Sequence, residues 1–144
     1  MFGTLNPAAT YRKLSLEGQV DSASPHRLIL MLFEGTLLAI ANAQRHMENR
    51  EIAAKGAAIS KAIDIIANGL QASLDLQAGG ELAKRLDALY EYMGHRLLYA
   101  NLHNDPAALR EVANLLGEIK SAWEKIADEP GVNPPNGRGG QGLT

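Results

Sequence analysis

The 144-residue chain contains no cysteine, few aromatic residues and no excess of positive charge. Without cysteine it can form neither a disulfide framework nor a thiol nucleophile. Its formal net charge of -2 argues against a nucleic-acid binder, because such proteins normally present a basic face. Aromatic residues make up 5% of the chain, and β-branched residues do not alternate with polar ones as they would in strands. We therefore expect neither a disulfide-rich protein, nor a nucleic-acid partner, nor a β-sheet fold.

Sequence signals for secretion or membrane insertion are also missing. The first 20 residues contain no continuous apolar segment of the kind found in signal peptides. The most apolar run, Leu28–Ile40, is interrupted at residues 34–36 and is too short to cross a bilayer. We therefore predict a cytoplasmic protein that does not insert into a membrane.

Motifs that would carry catalysis do not occur. The chain has no phosphate-binding P-loop, dinucleotide fingerprint, nucleophile elbow or H-E-x-x-H zinc motif. Helical bundles can hold two metal ions through paired E-x-x-H motifs, but the nearest pattern here is Glu91 and His95, four residues apart and present once. We interpret this pair as an exposed ion pair. The sequence thus predicts no enzyme, no metal site and no cofactor.

Residues that favour helices dominate the chain and form four periodic segments. Ser24 and Asp105 are suitable N-caps, and Pro25 and Pro106 are suitable first helical residues because that position needs no N–H. Gly79 and Gly80 mark the end of the second segment. The predicted helices run approximately over residues 25–47, 51–76, 81–102 and 106–129.

Apolar residues recur in steps of three and four along these segments, as they do in helices that pack into a core. The links between the segments are only a few residues long, which makes consecutive helices antiparallel neighbours. The sequence therefore predicts an all-α protein: an antiparallel up-down four-helix bundle over residues 24–128. We expect residues 1–23 to form an N-terminal arm and the Gly/Pro-rich residues 129–144 to form a disordered tail.

Two features suggest surfaces beyond a closed core. The second helix carries a second stripe of mostly small residues, which would let another backbone approach closely: Ala58, Ala62, Ile65, Gly69 and Ala72. The third helix carries Tyr90, Tyr92 and Tyr99, which cannot all point into one core. Tyr92 and Tyr99 share a face, where an aromatic ring with a polar tip suits an interface. Trp123 is in phase with the apolar seam of the fourth helix, and we assign it to the core.

Three segments occur in an order and spacing typical of one protein family. Residues 23–35, ASPHRLILMLFEG, are similar to the pattern SP-x-x-L-I-x-M-L-[YF]-[DE]-G. Residues 61–66, KAIDII, are similar to K-A-x-x-I-I, and residues 79–93, GGELAKRLDALYEYM, to G-G-x-[IL]-A-x-x-L-x-x-L-Y-[DE]-Y-M. Tyr11, Asn101 and Trp123 match further single positions. Over residues 11–127 the chain thus resembles the flagellar secretion chaperones called FliS.

Departures from these patterns are conservative. Phe33 stands where tyrosine is common, and Glu34 and Glu91 stand where aspartate is common. The residues after Asp128 find no counterpart in the family patterns.

The resemblance implies a chaperone rather than an enzyme. Members of the family are four-helix bundles that bind the C-terminal region of newly made flagellin in the cytoplasm, block its premature polymerisation and assist its delivery to the flagellar type III export gate. Other flagellar assembly regulators are expected as further partners. We predict that the client contacts the arm through Tyr11 and Leu14, the small-residue stripe, and the tyrosine face of Tyr92 and Tyr99. The alternative is a structural bundle that has no flagellin client and uses the same surface to self-associate. A homodimer of the empty protein is also compatible with the sequence.

Overall fold

The structure is a computed structural model, and it describes residues 24–127. Within this range the chain forms four helices: α1 (Pro25–Glu48), α2 (Ile52–Ile65), α3 (Gly80–His103) and α4 (Pro106–Ala127). A six-residue π-helix, Ile66–Gln71, extends α2. Each helix packs mainly against the helices that precede and follow it in the chain, and α1 also packs against α4. The four helices therefore form an antiparallel up-down bundle. The predicted fold class is confirmed. The predicted arm and tail lie outside the described residues.

The start of α1 follows its predicted capping signal. The Ser24 hydroxyl accepts a hydrogen bond from the Arg27 amide at 3.1 Å, and Pro25 takes the first helical position. At the start of α4, the Asp105 carboxylate accepts from the Ala107 amide at 2.9 Å. These local signals explain why the observed starts of α1 and α4 agree with the predicted ones.

The second helix ends earlier than its periodicity predicts. We expected it to reach Leu76, but helical structure stops at Gln71. The Asp75 carboxylate accepts hydrogen bonds from the amides of Gln77 and Ala78, and the Ser73 hydroxyl donates to the Leu70 carbonyl. Short polar side chains here satisfy backbone groups in a turn, which competes with the helix. The prediction of a helix to residue 76 was therefore wrong by one turn.

The core lies along the bundle axis and receives side chains from every helix. Its largest fully buried members are Phe33 and Ile40 from α1, Ile59, Ile66 and Leu70 from α2 and the π-helix, Met93 and Leu97 from α3, and Leu109, Val112 and Leu116 from α4. Two large apolar residues near helix starts are exposed: Ile52 at the start of α2 and Leu82 at the start of α3. Both stand in the first turn of their helix, where the neighbouring helices no longer cover them.

The length and composition of α1 would also allow a membrane span, and it is the one helix within residues 24–127 for which this holds. The core helix of a bundle has the same properties, and α1 contributes Phe33 and Ile40 to this core.

Candidate functional site

An apolar cleft opens at one end of the bundle, and we call it the end cleft. It lies between the start of α1, the loop before α3, the start of α3 and the end of α4, and its volume is about 410 Å³. Most of its surface is aliphatic or aromatic, with contributions from Ile29, Phe33, Leu74, Leu82, Leu86 and Trp123. A concave apolar site of this size is typical of a binding pocket.

A second apolar cleft, the side cleft, lies between α2 and α3. Its volume is about 350 Å³, and its lining includes Ile63, Ala67, Gly94 and Leu98. Leu98 is 49% exposed, and an added Cβ at Gly94 would meet no atom within 4 Å. The absence of bulk at Gly94 and Ala67 therefore leaves room beside the exposed Leu98.

Tyr90 forms part of the wall of both clefts. Its ring belongs to the core and the residue is only 4% exposed. Burial raises the pKa of the Tyr90 hydroxyl to about 12, so this group keeps its proton throughout the physiological range. Nearby, the Gln71 amide donates to Asp87 at 3.0 Å and to Glu91 at 3.1 Å, which ties the π-helix to α3.

Trp123, which lines the end cleft, makes a reciprocal contact with His26. Their rings stack with centroids 4.6 Å apart and planes within 3°. The Trp123 indole N–H donates to the His26 carbonyl at 3.0 Å, and His26 Nε2 donates to the Trp123 carbonyl at 2.6 Å. Trp123 is half-buried and packs against the core from the cleft side. The sequence prediction placed it in the core, and the structure adds that one part of it lines the cleft.

Tyr92 and Tyr99 do not line either cleft, and Tyr92 contacts α4. Both are about 40% exposed, at 42% and 41%. The Tyr92 hydroxyl donates to Glu111 of α4, and Arg96 Nε donates to the same carboxylate at 2.8 Å. Arg96 also lies over the Tyr99 ring, 4.9 Å from its centroid. The two tyrosines thus form one exposed aromatic surface that is held in place by charged groups.

This arrangement changes the acidity of its members. The hydrogen bonds from Tyr92 and then Arg96 lower the pKa of the Glu111 carboxyl below its ordinary value. The same hydrogen bond to Glu111 raises the pKa of Tyr92. At neutral pH the carboxylate is therefore charged and the phenol is neutral, which is the state that maintains the contact.

Two members of the small-residue stripe, Ile65 and Gly69, lie against α1, and no member of the stripe lines either cleft. Ala62 and Gly69 are buried, and a Cβ at Gly69 would stand 3.2 Å from the Leu32 side chain. Ile65 is half-buried, with its Cδ1 3.6 Å from the position of a Cβ at Gly35 of α1. Ala58 is half-buried and Ala72 is exposed. The close approach that these residues were expected to allow is made by α1 itself.

Within residues 24–127, the structure places the predicted site residues in two separate groups. The structure brings Tyr92 and Tyr99 together and separates them from the α2 stripe, while Tyr11 and Leu14 lie outside the described residues. The sequence analysis did not assign the end-cleft residues Ile29, Leu74 and Leu82 to a site. One signal was available for Leu82: an apolar residue in the first turn after two glycines extends past the neighbouring helices.

Metal binding has no support within residues 24–127. No group of three or more His, Cys, Asp and Glu side chains is close enough there to hold an ion. His95 Nε2 and Glu91 Oε2 lie 3.7 Å apart in an exposed pair, as predicted.

Comparison with known proteins gives consistent matches over most of the chain. A family model described as "Flagellar protein FliS" matches residues 7–130. The chain is 49% identical over 124 residues to "Flagellar secretion chaperone FliS" of Salmonella typhimurium. The aligned region covers 86% of this chain and 92% of that protein.

Two other bacteria also contain similar proteins. The chain is 50% identical over 117 residues to "Flagellar secretion chaperone FliSB" of Pseudomonas aeruginosa, covering 81% of this chain and 92% of that protein. It is 33% identical over 120 residues to "Flagellar secretion chaperone FliS" of Bacillus subtilis, covering 83% and 85%. The matched region includes the complete helical bundle.

Proposed function

The chain belongs to the FliS family of flagellar secretion chaperones, and we propose that its client is the C-terminal segment of flagellin, which it binds in the cytoplasm. Binding would prevent premature polymerisation of flagellin and assist its delivery to the flagellar type III export apparatus. The export gate and other flagellar assembly regulators would then contact the loaded chaperone. No step in this function makes or breaks a covalent bond.

The observation that carries this proposal is the apolar surface that stays open after the four helices have closed their core. The end cleft and the side cleft lie on either side of Tyr90, and exposed leucines border both of them, Leu82 and Leu98. Grooves of this kind accept the apolar face of a partner helix or an extended segment. A client that orders on binding loses conformational entropy, and a large apolar contact area offsets that loss.

The tyrosine face is the second part of the proposed contact surface. Tyr92 and Tyr99 are exposed but fixed by Glu111 and Arg96, so they would lose little freedom when a partner covers them. Ala72 and Ile65 would contribute from the α2 side, together with the N-terminal arm through Tyr11 and Leu14. Ala62 and Gly69 are buried, and Gly69, which lies against Leu32, would act through the position of α1.

Titration calorimetry of the purified chain against a peptide from the C-terminus of flagellin of the same organism tests the proposal. We expect one-to-one binding with a large negative heat-capacity change, because apolar surface is buried and the peptide becomes ordered. No heat of binding at micromolar concentrations, from a chain that is folded by circular dichroism, would contradict it. Light scattering of the chain alone then decides whether the exposed surface serves self-association instead.

A Tyr92→Ala variant tests the tyrosine face separately. We expect it to retain its helical content and to bind the peptide at least about five-fold more weakly, the loss typical of a truncated aromatic contact residue. Arg45→Ala is the matched control, because Arg45 is exposed in the last turn of α1, whereas the tyrosine face belongs to α3. Equal affinities of the two variants would remove the tyrosine face from the contact surface.

A further inference from the structure

Tyr90 is almost completely buried, and its hydroxyl has no hydrogen-bond partner among residues 24–127. The other buried hydroxyl of this range, on Thr36, donates to the Leu32 carbonyl at 2.8 Å. Tyr90 is 4% exposed, and its pKa is raised by burial, with no contribution from a hydrogen bond. Native proteins rarely leave such a group unpaired, because a buried hydroxyl without a hydrogen bond costs free energy.

The position of Tyr90 indicates what would pair with it. The residue lines the end cleft and the side cleft, whose surfaces are mainly apolar and also include Gln71, Ser73 and Asp75. A ligand that fills these clefts and pairs with Tyr90 needs apolar groups and a hydrogen-bond acceptor. A polypeptide offers both, since each residue has a backbone carbonyl.

We propose that the Tyr90 hydroxyl donates a hydrogen bond to a backbone carbonyl of the client segment where that segment passes between the end cleft and the side cleft. This inference rests on the proposed function, since it assumes a flagellin segment as the occupant. Carbonyls inside a helix are already paired with amides four residues on. The recognised carbonyl therefore belongs to an extended stretch or to the last turn of a client helix, where carbonyls lack partners. Tyr90 is in this sense a specificity-determining residue for the local backbone conformation of the client.

The test is the Tyr90→Phe substitution in the full chain, because it removes the hydroxyl and retains the ring. We expect the affinity for the flagellin C-terminal peptide to fall about three- to ten-fold, the value of one neutral hydrogen bond. We expect the urea midpoint of the free chain to stay the same or to rise, because the variant no longer buries an unpaired hydroxyl. A fall in peptide affinity without a fall in the urea midpoint distinguishes a role in client recognition from a structural role.

Thr36→Val provides the matched control, because it removes a buried hydroxyl that already has its partner. It is expected to lower the urea midpoint and to leave peptide affinity unchanged. Wild-type affinity in Tyr90→Phe would overturn the inference, and so would a loss of affinity accompanied by a loss of stability like that of Thr36→Val. If the wild-type chain itself fails to bind the peptide, the proposed function fails and the inference fails with it. If the wild-type chain and Tyr90→Phe bind equally well, only the role of Tyr90 is lost.

Discussion

Lys55 is the one charged side chain that is buried within residues 24–127, with 3% of the residue exposed. Its ammonium group donates to the Asn101 carbonyl at 3.0 Å and to the side-chain oxygen of Asn104. Asn104 follows the last residue of α3 and has a left-handed backbone with φ of 49°. Lys55 thus supplies positive charge and hydrogen bonds to carbonyls at the C-terminal end of a helix, where both are favourable.

Replacing Lys55 with methionine is therefore expected to lower the free energy of unfolding by about 2 kcal/mol, since it leaves acceptors of a charged hydrogen bond unpaired. Urea unfolding followed by circular dichroism measures the change. Lys61→Met is the control, because Lys61 is exposed on the same helix and should change stability by less than about 0.5 kcal/mol. Equal stabilities of the two variants would mean that Lys55 does not hold the end of α3.

For single residues, the sequence predicted which side chains face the core or the surface better than it predicted their hydrogen-bond partners. Helical periodicity places Tyr92 and Tyr99 seven residues apart on one face and implies that the three tyrosines of α3 cannot all point into one core. The observed exposures agree, because Tyr90 is buried while Tyr92 and Tyr99 are exposed. The bond between Tyr92 and Glu111 could not be predicted in the same way. It joins residues on different helices, and their alignment depends on how α3 and α4 pack.

The packing of one helix on another, here of α1 on α2, depends on small side chains. Gly69 lies in the π-helix that extends α2, directly against the Leu32 side chain. The stripe of small residues indicated a close contact with another element, and Gly69 makes this contact with the Leu32 side chain. It could not indicate whether the approaching helix belonged to the bundle or to a client, because both would require the same small residues.

Gly69→Val is expected to lower the free energy of unfolding by about 1–3 kcal/mol, because the new methyl groups would overlap Leu32. Gly117→Ala is the contrasting variant, since an added Cβ in the middle of α4 meets no atom within 4 Å. It should raise the stability by about 0.5–1 kcal/mol through helix propensity alone. Thermal unfolding of both variants checks the pair. A Gly69→Val protein as stable as the wild type would show that α1 can move away from α2 without cost.

At the scale of the whole molecule, the fold followed from the sequence because each helix carries a continuous apolar stripe and the links are short. The clefts did not follow, because they are the space that remains after packing. The end cleft exists where α2 gives way to a turn at residues 72–79, one turn before its periodicity ends, and where Leu82 extends past its neighbours. A shift of one helical turn thus separates a closed bundle from one with an open apolar end.

Trp123 makes that open end observable, because it is the only tryptophan in the chain and lines the end cleft. Its indole is half-buried and stacks on His26, so any segment that enters the cleft must alter its solvent contact. We expect saturating flagellin peptide to shift Trp123 emission to shorter wavelength, with the same midpoint as the calorimetric titration. A dilution series of the chain alone controls for self-association, which would shift the emission without peptide. If emission stays constant while calorimetry reports binding, the client occupies the side cleft and the tyrosine face without entering the end of the bundle. The open end would then be a consequence of how α2 terminates rather than a site.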